Sequence, residues 1–90
     1  MFYSDTAGAP LSGLKPGETA TVQAVSTALP AHERRRVMDL GILPGAEIEV
    51  VMRSAGGDPT AYRVRGALIA LRNEQSQWIL VSRNPGEGAK

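Results

Sequence analysis

Ninety residues suffice for one small domain with a single core, and not for two. The absence of cysteine excludes disulfide staples, thiolate catalysis, zinc ribbons and cysteine-bound clusters together. An apolar fraction of 42% is that of a globular chain, and a formal charge of +1 argues against a general polyanion binder, so nucleic acid is not an expected partner.

Residues 1–10 hold neither a basic n-region nor an apolar h-region, so no signal peptide is read. Apart from Phe2 and Tyr3 they are small and polar, which fits a flexible tail or an aromatic flap folding back. Residues 84–90, rich in Gly and Pro, read as a second flexible tail, leaving residues 11–83 as the folded body. The longest apolar run, residues 67–71, falls far short of a membrane span; no direct membrane insertion and a cytoplasmic location are the expectations.

Inside the body, Leu14-Lys15-Pro16-Gly17 leads into residues 18–25, where Ala20, Val22 and Ala24 alternate with Thr19, Thr21 and Gln23. Period-two alternation with β-branched residues predicts a strand with one buried face. Residues 33–40 have helical character, with Pro30 suited to the first helical position and Val37 and Leu40 three apart. Gly41 stands where a left-handed C-terminal cap belongs, and Pro44-Gly45 fits a type II turn. That turn leads into residues 46–53, where Ile48, Val50 and Met52 alternate against Glu47, Glu49 and Arg53. The same turn chemistry thus starts two strands.

Gly56-Gly57 and Asp58-Pro59 mark a hairpin loop. Residues 61–65 alternate Tyr62 and Val64 against Arg63 and Arg65, Gly66 breaks the strand tightly, and residues 67–71 are apolar on both faces, as a central strand would be. Residues 72–75 form a polar corner with one turn of 3₁₀ helix, and residues 77–81 close the set. The fold class is therefore mainly β: a small closed or half-closed barrel of about five strands, with a short helical insertion after the first. Closure would remove exposed edges. Val37, Leu40, Ile48, Val50, Val64 and Leu80 are assigned to the core. Gly17, Gly41, Pro44, Gly45 and Gly66 are the turn and cap residues.

Convergent polar groups of the kind catalysis needs are lacking. No phosphate-loop, dinucleotide or zinc-protease motif is present, and no cofactor is expected. The single histidine, His32, lies two helical turns before Asp39, so a surface metal ion could just bridge the pair; the alternative is a solvated helix surface. Arg34, Arg35 and Arg36 form the only dense charge run. Consecutive helical positions point about 100° apart, so the three cannot make one flat patch. Arg35 can pair with Asp39, and Arg36, on the side that carries Val37 and Leu40, is expected to pack its stem on the barrel. Met38 is core filler, or an interface anchor if exposed.

The chain from Leu11, Leu14, Gly17 and Val22, through Arg36, Met38, Asp39, Leu40, Gly41, Pro44 and Gly45, to Asp58-Pro59, Gly66, Ala70, Leu71, Arg72 and Ile79 resembles the FeoA family. The order Arg-x-x-Asp-Leu-Gly-x-x-Pro-Gly, then Asp-Pro, then Ala-Leu-Arg, spans nearly the whole body. Val37 stands where the family often has leucine, and Gln75-Ser76 where Glu-Ala is usual. The resemblance implies an SH3-like β-barrel. It also implies a cytosolic accessory of bacterial ferrous iron uptake, whose partner is the membrane permease with a cytosolic GTP-binding domain. Arg34, Arg35, Arg36 and Met38 are the expected partner-binding residues, and self-association is a further expectation for a small barrel with open edges. The alternative is an SH3-like peptide- or protein-binding module outside iron transport.

Overall fold

Two Pro-Gly turns set the geometry of the sheet. The computed structural model describes residues 8–84. The chain order is β1 (Ala9–Pro10), a 3₁₀ turn (Leu11–Gly13), β2 (Thr19–Val25), α1 (Ala31–Asp39), β3 (Glu47–Arg53), a 3₁₀ turn (Ala55–Gly57), β4 (Thr60–Val64), β5 (Ala67–Leu71), α2 (Asn73–Ser76) and β6 (Ile79–Arg83). The Glu18 N–H donates to the Lys15 carbonyl at 3.0 Å and the Ala46 N–H to the Leu43 carbonyl at 2.9 Å, closing a turn around each Pro-Gly pair. At Gly45, φ is +93°, the value that the third position of a type II turn demands.

Each turn then docks on the strand that the other one starts. Gly17 N–H donates to the Val50 carbonyl and Gly45 N–H to the Val22 carbonyl, both at 2.8 Å. Val50 N–H in turn reaches the Glu18 carbonyl (3.0 Å), and Val22 N–H the Ala46 carbonyl (2.8 Å). The relation is a local pseudo-two-fold centred on the antiparallel pair Ala20 and Ile48. It extends outward: β2 shifts register against β6 between Val22 and Ala24, and β3 shifts against β4 at the matching Val50 and Met52. Even the sheet order, β1-β6-β2-β3-β4-β5, is a palindrome of equivalent strands.

This sheet corrects the expected barrel in two respects. Among the described residues it has six strands where about five were expected, because Ala9 and Pro10 pair with Val81 and Leu80, and it ends in β1 and β5 without closing. The helical insertion consequently follows the second strand. The body also reaches one residue past the expected boundary. Asn84 donates its backbone N–H to the Thr19 carbonyl at 3.1 Å and its amide to Glu47 at 3.0 Å. The tail segments 1–7 (with Phe2 and Tyr3) and 85–90 lie outside the described residues.

The core takes Leu11, Leu14, Val22, Leu29, Val37, Ile42, Ile48, Val50, Tyr62, Val64, Ile79 and Val81, all within 1% of full burial. Two of the residues assigned to it do not belong: Leu40 is 42% exposed and Leu80 only half-buried. Met52, read as inward-facing, is 58% exposed, because the extra residue of the bulge after Val50 turns it to the other face. Helix α1 is anchored by its C-terminus. Gly41 N–H donates to Met38 (2.9 Å) and Ile42 N–H to Val37 (3.3 Å), the paired bonds of a Schellman motif, with φ of +102° at Gly41. Val37 and Ile42, the positions that pack across such a motif, are both fully buried, each contributing on the order of 1.5–3 kcal/mol. Pro30 stands one position earlier than expected, as the residue whose carbonyl accepts the first helical bond, from Arg34 N–H at 2.8 Å. The polar corner is a turn of α-helix, not 3₁₀.

Candidate functional site

Anchoring by Val37 leaves most of α1 exposed, with Glu33 and Arg34 half-buried, and the helical repeat divides it into two sides. Ala31, His32, Arg34, Arg35, Met38 and Asp39 line a hollow on one side. On the other, Glu33, Arg36, Val37 and Leu40 form one wall of an open groove of about 680 Å³. Its opposite wall is Ile69, Ala70 and Leu71 of β5, with Pro59, Arg72, Glu74 and Gln75 around the corner. The groove lining is mixed: Val37, Leu40, Ile69 and Leu71 are apolar, and Glu33, Arg36, Arg72 and Glu74 are charged.

The arginine run is split between these sides, and its members differ from expectation. Arg34, not Arg36, is tied to the fold: it is half-buried, and its guanidinium donates to the Leu29 carbonyl at 3.0 Å. Arg36 is exposed and lines the groove instead of packing its stem on the sheet. Neither it nor Arg35 forms an ion pair among the described residues, so the Arg35–Asp39 pair is not made. Met38 is 37% exposed, which takes it out of the core. His32 is 82% exposed in its side chain and lies 3.9 Å from Glu33. His32 and Asp39 share the first hollow, but no group of three metal-ligating side chains exists among the described residues.

Strand β5 was missed as a site element. Read as central, it is the terminal strand of the sheet, and Leu68 is 61% exposed. The available signal was its apolar character on both faces, which a terminal strand does not need for folding. The turn residues frame the same region. Arg65 and Gly66, with φ of +53° and +82°, make the tight β4–β5 hairpin. Gly41 approaches it so closely that a Cβ there would meet the Arg65 side chain at 3.1 Å. The turn that ends α1 therefore sits against the tip of the hairpin that leads into β5. A third hollow around Gly45, Glu49, Arg63 and Arg65 carries the Arg63–Glu49 ion pair at 3.4 Å.

A family model described as FeoA domain matches residues 9–83. Among solved structures, the FeoA protein of Chlorobium tepidum is 35% identical, with a TM-score of 0.79 over 87% of this chain and 72% of that one. A FeoA-like protein of Clostridium acetobutylicum is 32% identical, with a TM-score of 0.77 over 84% and 86%. The FeoA of Stenotrophomonas maltophilia, complexed with zinc, is 30% identical with a TM-score of 0.73 over 83% and 94%. It is described as a prokaryotic SH3 domain protein and a candidate activating factor of bacterial ferrous iron transport. No curated protein matches the chain. No helix among the described residues is long and apolar enough to cross a membrane.

Proposed function

The chain belongs to the FeoA domain family, whose members are associated with ferrous iron transport, and from that premise we propose that it is a cytoplasmic, non-enzymatic adaptor of a ferrous iron uptake system. It docks on the cytosolic GTP-binding part of the membrane permease. The carrying observation is that α1 exposes Met38 and Leu40 beside Arg35 and Arg36, which have no ion pairs among the described residues. Exposed apolar residues next to unpaired guanidinium groups are the composition of an interface core with an electrostatic rim. Iron is the cargo of the permease in this reading, not a group held by the adaptor.

The test is a pull-down against detergent-solubilised permease and, separately, its isolated GTP-binding domain, beside iron-uptake complementation in cells lacking the native protein. Arg35→Glu with Arg36→Glu should keep the melting temperature and lose both association and complementation, most severely at low ionic strength. Full complementation by this double variant would reduce the arginines to a solvated helix surface. Retained binding of other proteins with no permease association would move the chain to a binding module outside iron transport.

A further inference from the structure

The two ends of the pseudo-symmetric sheet are treated differently. Strand β1 is two residues long and ends in Pro10, which has no N–H to offer, so that edge is blunted. Its counterpart β5 runs for five residues without proline, charge or bulge. The tight Arg65-Gly66 hairpin makes Val64 and Ala67 a hydrogen-bonded pair, and the antiparallel alternation then makes Tyr62–Ile69 and Thr60–Leu71 the next such pairs. Leu68 and Ala70 therefore turn their N–H and C=O groups away from β4, toward the open side. The groove shared with α1 runs along this strand at Ile69, Ala70 and Leu71.

We propose that this edge takes an extended segment of a partner protein as a seventh strand, seated between β5 and α1; the proposal deepens the docking reading above and rests on it. The chemistry of the occupant follows from the walls. Backbone pairing to Leu68 and Ala70 supplies affinity without sequence demand. Alternate side chains of the segment face inward, onto Leu40, Ile69 and Leu71, and must be apolar. Arg36 on the helix wall has no ion pair among the described residues, and Arg72 on the strand wall is held by Asp58 at 3.7 Å. Glu33 lies 3.9 Å from the exposed His32, and Glu74 forms no ion pair among the described residues. Arg35 lines the opposite hollow, so the charge complement is local: the segment carries an acidic residue where it passes Arg36.

A random linear-peptide phage library selected on the full chain tests this, and the selected peptides are then synthesised. The expected binders alternate apolar residues with at least one acidic residue. They slow hydrogen exchange at the Leu68 and Ala70 amides, and they lose at least about tenfold in affinity to Ala70→Pro, which deletes one outward donor and none of the β4 ladder. Amide exchange on the unaltered protein decides the matter if Ala70→Pro fails to fold. Failure to select any binder, binders that leave the Leu68 and Ala70 amides unprotected, or binding indifferent to Ala70→Pro would each overturn strand addition. So would concentration-dependent protection of those amides without peptide, which would assign the edge to a second copy of the chain. Because these readouts use the isolated protein, they fail independently of uptake complementation, which remains the test of the docking reading.

Discussion

Replacing Gly45 isolates a single physical term. Its φ of +93° is one that L side chains rarely adopt, and an added Cβ would meet nothing within 4 Å, so sterics with neighbours drop out. Gly45→Ala places an L-residue in left-handed backbone, at a cost of ~1–2 kcal/mol. Against this, alanine narrows the unfolded ensemble and recovers ~0.4–1 kcal/mol. The net loss is about 1 kcal/mol, which for a domain of this size lowers the melting temperature by about 4–8 °C. Gly45→Val should lose more, ~1–3 kcal/mol, because a β-branched residue is a greater outlier there. The assay is thermal unfolding by circular dichroism, with D-alanine at position 45 introduced by chemical ligation as the control. The mirror-image residue accepts positive φ and should unfold near the wild type. If Gly45→Ala melts with the wild type, or D-alanine is as damaging as L-alanine, the type II turn is not what glycine supplies here.

Ser76 is fully buried, and its hydroxyl has no partner among the described residues. Ser76→Ala should therefore raise stability by about 1 kcal/mol, by removing an unsatisfied polar group, and a lower melting temperature would reveal a partner that the hydroxyl does have. Arg34→Ala should cost about 1 kcal/mol through loss of the bond to the Leu29 carbonyl, whereas Arg36→Ala, exposed on the groove rim, should leave the unfolding midpoint in place. Calorimetric titration with ferrous and zinc ions should show only weak binding by the isolated protein, since His32 and Asp39 lack a third ligand among the described residues. Submicromolar, stoichiometric binding abolished by His32→Ala would contradict this.

What could be read from the sequence was whatever is decided locally. A helix stop at Gly41 and a turn at Pro44-Gly45 are written in residue types that few other conformations want, and both are found as expected. The burial of Val37, Ile48, Val50 and Val64 follows from period alone. Bulges have no such signature. The extra residues after Val22 and Val50 are ordinary strand formers, so alternation carried past Val50 put Met52 on the wrong face, whereas Leu80 sits on unbulged β6 between the buried Ile79 and Val81 and so faces the other way. Apolar character on both faces of β5 could not distinguish a central strand from a terminal one, because composition records the faces of a strand and not its edges. Which arginine tucks in depends on where the loop before α1 leaves the Leu29 carbonyl, a tertiary fact that places Arg34 against the fold and frees Arg36.

The pseudo-two-fold gives these departures an order. Where the two halves agree (turn, strand, bulge, outer partner) the residues serve the fold: Gly17 and Gly45, Val22 and Val50, Val81 and Tyr62. Where they differ, folding alone gives no reason for the difference. The segment after β2 is lengthened into α1, while the equivalent segment after β3 is a short 3₁₀ turn. One sheet end is blunted at Pro10, and its equivalent is left open along Ala67–Leu71. These two asymmetries meet at one place, because the Schellman turn at Gly41 packs against the Arg65 hairpin and sets α1 alongside the open strand. A symmetric sheet could have been finished more cheaply by a short loop and a second blunted edge. The added helix and the unblunted edge instead enclose a groove where Leu40, Ile69 and Leu71 stand beside Arg36, which has no ion pair among the described residues, and the docking of a partner is assigned to that groove because both asymmetries meet there.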